Sequence, residues 1–385
     1  MPLSINMISV VGCQIIRNSM DFLAPFYEYI YTIVCFIAMK NALKSPSSLL
    51  PPFTSISTHR QSAIITGICI CLFLGLRPVA RNFGDTLGYS ELYNVIYGQI
   101  FTFDPSAENL LFDNLLFFCA SIRLSEHSFY LLMSIIYFSC IGIACRKIFA
   151  DNSHIGFMVY LLGFSTYSYA INGFKAGAAA AIFLVALAYK DKLWLTIPLA
   201  LISNGFHHSM TVVVYAYIIS YFVKKTKWYF YGWLFCLFIA AAHIGFFQSL
   251  FASYADESGA SYLLAEGDVL HITGFRLDFI LYSAAPVVIG YYILFKYRLR
   301  DSMYELWLRM YLLTNGIWML CMYASFTNRI AYLSWFMLPV VTIYPFYAMK
   351  GVPNRLQVGN KVAMYHAYFT LFMVFVYYGL ASIIL

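Results

Sequence analysis

Long apolar runs separated by short polar segments make up most of the sequence. A helix that crosses the hydrocarbon core of a membrane needs roughly 20 apolar residues. By this measure the chain is predicted to fold as a single all-α, polytopic integral membrane domain over residues 1–385. We predict about twelve membrane-spanning helices, near residues 22–43, 61–76, 127–145, 154–171, 176–189, two within 193–223, 228–247, 275–295, 303–325, 330–349 and 363–384.

Two longer polar segments, residues 77–126 and 248–274, interrupt this pattern and predict two larger extracytoplasmic loops. Inside the first, the apolar stretch from Asn109 to Ser121 is too short to span a membrane comfortably, which favours an interfacial or re-entrant helix. The apolar run 193–223 is too long for one simple span. It contains Asn204-Gly205, a pair typical of turns, so we divide it there into two helices.

The composition supports a membrane protein and excludes several other classes. Hydrophobic residues make up 62% of the chain and charged residues 11%, and the mean hydropathy is +0.73. A soluble domain of this size could not bury so much apolar surface. The net charge of +7 does not indicate nucleic-acid binding, because the basic residues lie in short clusters between apolar runs. We therefore expect membrane lipids, and no nucleic acid, as partners.

The sequence contains no motif that predicts a metal or a cofactor. The closest pair among its nine cysteines, Cys69 and Cys71, would diverge on a helix, and none shows paired metal-ligand spacing. A glycine-rich phosphate loop, an HExxH motif and a GxSxG motif are all absent, which excludes the usual nucleotide, zincin and hydrolase signatures. We expect neither a metal nor a cofactor.

The distribution of basic residues predicts which side of the membrane each loop faces. When the loops alternate between sides, sixteen of the 24 lysines and arginines fall on one side and seven on the other, with Arg309 inside a span. Cytoplasmic loops carry an excess of lysine and arginine, so the side with sixteen is predicted to be cytoplasmic. Both chain termini then face outward.

The predicted outward side carries a set of charged side chains that this bias does not explain. The segment 77–93 places Arg77, Arg81 and Asp85 within nine residues and adds Tyr89. Two arginines beside a carboxylate suit an anion such as a phosphate, held in the fork of guanidinium N–H donors. Ionisable groups at membrane helices are costly and usually mark function, so we predict a basic, aromatic-lined cavity for a large anionic substrate. The other members of the set are Lys175, His207, His208, Arg276, Asp278 and Arg329.

Each of these side chains also has a structural interpretation, because charged side chains snorkel to the interface, cap helices or pair with neighbours. Arg309 is expected to be structural, since Glu305 lies one helical turn before it. The alternatives that stay open are a snorkelling anchor for Lys175, a satisfied turn pair for His207-His208, a cap for Arg329 beside Asn328, and an ion pair between Arg276 and Asp278.

Several motifs follow one another in order between residues 61 and 345. An apolar helix ends at an arginine, and the next loop reads G-D-T-x-x-Y-x-x-x-Y, from Gly84 to Tyr93. A polar turn then opens INGFKAGAAAAIF at residue 171, an apolar run contains His208-Ser209, and FTNRIAYL holds the late Arg329. This ordered set resembles the EpsG/Wzy group of bacterial polysaccharide (O-antigen) polymerases. The chain has Lys175 where that group often has arginine, and lysine binds phosphate as a point charge rather than through a fork.

The resemblance implies a glycosyltransferase that joins repeat units carried on undecaprenyl diphosphate, at the periplasmic face of the bacterial inner membrane. The lipid diphosphate of the growing chain is the leaving group, and a sugar hydroxyl of an incoming lipid-linked unit is the acceptor. Positioned cations can neutralise a leaving diphosphate without a metal. The resemblance also implies a chain-length-determining co-polymerase as a partner.

The same resemblance implies roles for individual side chains. Asp85 or His208 would be the base for the acceptor hydroxyl, and Arg77 would neutralise the diphosphate in the catalytic site. The residues expected to bind the diphosphate or the glycan are Arg81, Tyr89, Lys175, His207, Arg276 and Arg329.

Other functions fit part of the sequence. A flippase for lipid-linked glycans would usually carry internal repeats and charges at the membrane midplane, and the sequence shows no repeat. An O-antigen ligase or another lipid-linked sugar transferase would share the arginines and the fold class, so the sequence separates them poorly from a polymerase. A membrane acyltransferase is a further enzyme alternative. A purely structural scaffold would leave the outward charges unexplained.

The predicted orientation can be tested with a reporter at the carboxyl terminus. Alkaline phosphatase folds only in an oxidising compartment, so a fusion after Leu385 should be active if the terminus faces outward. A fusion in the predicted cytoplasmic loop at Lys350 should be inactive and serves as the control. An inactive carboxyl-terminal fusion would contradict the alternating assignment.

Overall fold

The computed structural model describes residues 23–43, 56–252, 274–324 and 327–377, and every regular element in these ranges is helical. The all-α fold class is therefore confirmed for this part of the chain. Arg17, most of the predicted loop 44–60 and the centre of the predicted loop 248–274, with His271, lie outside the described residues.

The chain divides into two compact units, residues 1–208 with 364–385, and residues 209–363. The helices of the first unit are α1 Tyr27–Ala42, α2 Ile56–Gly75, α3 Thr86–Ile96, α4 Leu110–Ser121, α5 Glu126–Phe149, α6 Ser153–Leu161, α7 Thr166–Ile171, α8 Phe174–Ala188 and α9 Leu193–Phe206. Those of the second are α10 Met210–Phe222, α11 Thr226–Ala241, α12 Phe246–Ala252, α13 Leu277–Tyr291, α14 Ser302–Leu320, α15 Thr327–Trp335 and α16 Leu338–Tyr347. A last helix, α17 Arg355–Leu371, includes the boundary between the two units.

Within the described ranges, three helical stretches are long and apolar enough to cross a membrane: Glu126–Leu161, Leu277–Lys296 and Thr327–Tyr347. Four shorter apolar helices, α4, α8, α9 and α10, accompany them. The apolar run 193–223 is divided into α9 and α10 as predicted, but the break lies at residues 207–209, directly after the last turn of α9, which contains Asn204 and Gly205. These helices are those of a membrane protein, whereas the number twelve stays a prediction.

The structure differs from the predicted spans in two places. The predicted fourth span, 154–171, is divided into α6 and α7, because the Gly163 amide and the Thr166 hydroxyl both donate to the Tyr160 carbonyl and close a turn. The predicted loop 77–126 contains the additional helix α3. Tyr89 and Tyr93 in this helix stand four residues apart, a helical spacing that the loop prediction overlooked.

The core of the first unit is built around α8, which packs against α5 and α9. Its small residues allow this close approach, and the side chains of Ala178 to Ala181 are fully buried, as the sequence predicted. At Gly177 an added Cβ would lie 2.4 Å from the Tyr169 carbonyl oxygen of α7. The α7–α8 contact therefore requires glycine at this position.

The two ends of this unit differ in their charged residues. At one end, Arg60 in α2 binds Asp151 at 2.5 Å, Arg146 donates to the Ala150 carbonyl, and Lys192 lies 5.9 Å from the Tyr189 ring. These residues come from loops that the sequence assigned to one side of the membrane. At the opposite helix ends, Arg77 follows α2, Lys175 lies in the first turn of α8, and His208 follows α9. The side of a membrane that each set of residues faces stays a prediction.

The core of the second unit contains a buried polar network. The Asn315 side chain of α14 donates to Ser283 in α13 at 3.1 Å and to Ser334 in α15 at 3.0 Å. The same amide accepts the Trp233 indole N–H of α11 at 2.8 Å. Hydrogen bonds of this kind join membrane helices, because a polar group left unpaired in an apolar core is costly.

The close contact at Gly177 predicts a difference between two glycine substitutions. Gly177→Ala should lower the melting temperature of the detergent-solubilised protein, because its Cβ meets a backbone oxygen that cannot rotate away, at a cost of about 1–3 kcal/mol. Gly142→Ala in α5 is the matched control, since an added Cβ there meets nothing within 4 Å. Equal melting temperatures for the two variants would contradict the packing of α8 on α7.

Candidate functional site

Arg77 is a buried clamp directly after α2. Its side chain is about 1% exposed and donates to the carbonyls of Leu74 and Ile171 and to the Thr86 hydroxyl, at 2.9, 3.0 and 3.0 Å. The guanidinium carbon also lies 4.7 Å from the centre of the Tyr130 ring. These contacts join the end of α2, the start of α3 and the end of α7.

The charge of Arg77 is held without an anionic partner. Burial lowers the pKa of the guanidinium to about 10, which still leaves it protonated at neutral pH. Among the described residues no carboxylate forms an ion pair with it. Its Nε has no hydrogen-bond partner in the structure, while the rest of the fork is used by backbone and hydroxyl oxygens. Arg77 therefore holds the neighbouring helix ends together as a buried side chain and does not lie at the exposed surface of the site.

Arg81 and Asp85 lie on the exposed side of this clamp. Gly84 between them has a positive φ of 57°, and a Cβ there would lie 2.5 Å from the Asn172 side-chain oxygen. That oxygen accepts the Asp85 amide at 2.9 Å and so connects the loop to the turn between α7 and α8. Both charged residues are exposed.

Lys175 lies in the first turn of α8, next to aromatic rings from α3 and α4. Its Nζ is 6.0 Å from the centres of both the Tyr89 and the Phe112 rings. Tyr89 also packs at 4.7 Å against Phe174, the residue before the lysine. A lysine at the positive end of a helix dipole is unfavourable unless an anion is bound nearby. Lys175 and the rings of Tyr89 and Phe112 thus form a cationic position next to aromatic side chains.

His208 lies at the turn between α9 and α10 and contacts the start of α4. Its Nδ1 is 3.2 Å from a Glu108 carboxylate oxygen, and its backbone amide donates to the Asn109 side-chain oxygen at 3.2 Å. The His207 and His208 rings stack with their centres 5.1 Å apart. About half of the His208 side-chain surface is exposed.

The structure brings seven of the nine predicted site residues into one unit. Contacts link Asp85 to Asn172, which precedes Lys175 by three residues, and link Lys175 through Phe112 to α4. Glu108 and Asn109, the two residues before α4, then contact His208. The seven residues at this end of the first unit are Arg77, Arg81, Asp85, Tyr89, Lys175, His207 and His208.

The remaining two predicted residues, Arg276 and Arg329, belong to the second unit. Arg276 forms a two-point ion pair with Asp278, with distances of 2.9 and 2.5 Å, so the structural alternative for this pair is confirmed. Arg329 is exposed in the first turn of α15. Arg309 is structural as predicted, since it binds the Ser220 carbonyl and lies 3.7 Å from Glu305.

Sequence reasoning missed three residues of the site: Glu108, Asn109 and Asn172. All three precede helices, and asparagine is common there because its side chain accepts backbone N–H groups. That preference was the available signal for Asn109 and Asn172. Nothing local in the sequence indicated that Glu108 would contact a histidine one hundred residues later.

Comparison with known protein families decides the assignment of the chain. The family model described as "EpsG family" matches residues 60–384. The chain belongs to the EpsG family. This family includes Wzy-type polymerases, and the EpsG-family chain described here is accordingly a polysaccharide-polymerase-type membrane protein. Searches of curated proteins and of solved structures gave no match.

Because Arg77 is buried and Arg81 is exposed, the same substitution should destabilise the protein at the first position and not at the second. Arg77→Lys should lower the melting temperature, because lysine cannot reproduce three hydrogen bonds and the contact with the Tyr130 ring; we expect a loss on the order of 2 kcal/mol. Arg81→Lys should leave the melting temperature unchanged, since Arg81 is exposed. Thermal unfolding of both variants in the same detergent measures this difference, and a stable Arg77→Lys variant would argue against the clamp.

Proposed function

We propose that this protein joins oligosaccharide repeat units carried on undecaprenyl diphosphate into a bacterial polysaccharide such as an O antigen. The reaction would take place at the periplasmic face of the inner membrane. Membership of the EpsG family supports the polymerase class. A second observation supports the proposal: Asp85, Lys175 and His208 lie at the same end of the first unit. The other end of that unit carries Arg60, Arg146 and Lys192.

The proposed reaction is a glycosyl transfer with a lipid diphosphate as the leaving group. A hydroxyl oxygen of the incoming lipid-linked unit forms a bond to the anomeric carbon of the growing chain. The bond from that carbon to the diphosphate oxygen breaks, and its electron pair goes to the lipid diphosphate. The hydroxyl proton is transferred to a base on the protein.

The half-buried Lys175 and the exposed Arg81 are assigned to the diphosphate. Lys175 combines an ammonium group with the positive end of α8, and both stabilise negative charge that develops on a leaving diphosphate. Arg81 adds a guanidinium fork at the loop before α3. Arg77 is proposed to act indirectly, because its buried contacts position Thr86 and Ile171 next to the substrate-facing residues.

The base is assigned to His208, with Asp85 as the alternative. Imidazole suits proton transfer near neutral pH, and the exposed His208 ring can reach a hydroxyl without leaving its contacts with α4. Tyr89 and His207 offer ring surfaces on which a sugar can stack. In the second unit, Arg329 is the exposed candidate for binding the glycan or a diphosphate. Arg276 is assigned a structural role, since Asp278 uses its fork.

The function predicts a specific change in the polysaccharide profile of a strain that lacks the gene. If units are made, exported and attached but not joined, a gel of the surface polysaccharide should lose its ladder and keep a single-unit band. Complementation with the wild-type gene should restore the ladder. Loss of the single-unit band as well would favour a flippase or a ligase, and an unchanged ladder would remove the polymerase assignment.

Two lysine variants test the assigned site in the same strain. Lys175→Met should reduce polymer formation roughly 10-fold or more, because it removes a cation from the diphosphate position. Lys192→Met is the matched control: this lysine also lies near a tyrosine ring, Tyr189, but at the opposite end of the unit. Equal polymer formation by the two variants would argue against a diphosphate at Lys175.

A further inference from the structure

The residues around His208 fix which of its ring nitrogens carries the proton. Nδ1 lies 3.2 Å from a Glu108 carboxylate oxygen and 3.4 Å from the Asn109 side-chain oxygen. The orientation of the Asn109 amide follows from its other contact, because the same oxygen accepts the His208 backbone N–H. Nδ1 therefore faces two acceptors, which favours the tautomer with the proton on Nδ1 and a free electron pair on Nε2.

The position of Glu108 is set by the packing of α4 on α9. An added Cβ at Gly205, in the last turn of α9, would lie 2.6 Å from the Leu111 side chain in the first turn of α4. Asn109 is about 1% exposed, and its backbone amide donates to the Asp113 carboxylate at 3.0 Å, which anchors the start of α4. Glu108 is the residue immediately before this anchored start. The carboxylate is thus held beside His208 by the fold, not by a flexible loop tip.

We infer that Glu108 is a positioning residue for His208: together with Asn109 it orients the imidazole so that Nε2 accepts the proton of the acceptor hydroxyl. This inference rests on the proposed function. As the hydroxyl oxygen bonds to the anomeric carbon and the lipid diphosphate departs, the proton stays on Nε2 and His208 becomes an imidazolium. The Glu108 carboxylate stabilises that cation, as an acidic group behind a histidine base does in other enzymes.

The partial exposure of both side chains agrees with this role. Glu108 and His208 retain 55% and 47% of their side-chain surface, so the pair lies at the surface of the site, where an acceptor sugar can approach. Asn109 beneath them is buried and provides the rigid contact.

A kinetic experiment on the full-length protein in proteoliposomes tests the role of Glu108. Glu108→Gln should lower kcat about 10-fold with little change in KM for the lipid-linked unit, because it removes the charge behind the base and leaves the binding residues in place. Glu108→Asp should recover part of the loss. Glu91→Gln, at another exposed carboxylate on α3, should behave like the wild type and serves as the control.

A double variant separates positioning from general damage to the site. In a His208→Ala background, adding Glu108→Gln should change kcat less than 2-fold, since a positioning residue has no effect once its base is absent. If His208→Ala keeps full activity, the base assignment in the proposed function is wrong. If His208→Ala loses activity while Glu108→Gln matches Glu91→Gln, the inference about Glu108 alone is overturned.

A spectroscopic measurement tests the tautomer without an activity assay. In protein labelled with ¹⁵N-histidine, the His208 ring signals can be assigned by their loss in His208→Gln. At a pH where the ring is neutral, the chemical shifts should show a protonated Nδ1 and an unprotonated Nε2 in the wild type, and a mixture of tautomers in Glu108→Gln. A wild-type ring protonated on Nε2 would overturn the inference.

Discussion

The buried guanidinium of Arg77 is the contact on which the candidate site depends. A charge buried at the end of a membrane helix is stable only when its hydrogen bonds are supplied by groups that cannot move away. Here they come from the end of α2, from Thr86 at the start of α3 and from Ile171 at the end of α7. The same requirement holds the loop before α3 against the turn before α8, because Asp85 and Asn172, which are hydrogen-bonded to each other, each adjoin an acceptor of Arg77.

A second constraint acts at the start of α4. This short apolar helix packs on α9, and the contact between Leu111 and Gly205 brings residues 108 and 109 to the turn that holds His208. Phe112, one turn further along α4, faces Lys175. One helix of twelve residues therefore connects the proposed base to the proposed diphosphate position. The predicted interfacial helix acquires in this way a role in organising the site.

The sequence predicted the helical class, the break after Asn204-Gly205 and the residues that share one end of the first unit, because each depends on hydropathy, turn chemistry or charge bias. It did not distinguish Arg77 from Arg81, since burial of one arginine and exposure of the other result from tertiary packing around Tyr130 and Phe174. It also did not pair Glu108 with His208, because that contact joins residues distant in sequence. Arg276 shows the opposite case: its pairing with a carboxylate two residues away was visible as an alternative from the sequence.

The central claim is that the protein itself joins lipid-diphosphate-linked units. The most direct measurement uses purified protein in proteoliposomes with a radiolabelled undecaprenyl-diphosphate-linked repeat unit as the sole sugar substrate. The account predicts lipid-linked chains of two, three and more units, with one undecaprenyl diphosphate released for each bond formed. Recovery of unchanged single units from protein shown to be folded by its melting transition would contradict it.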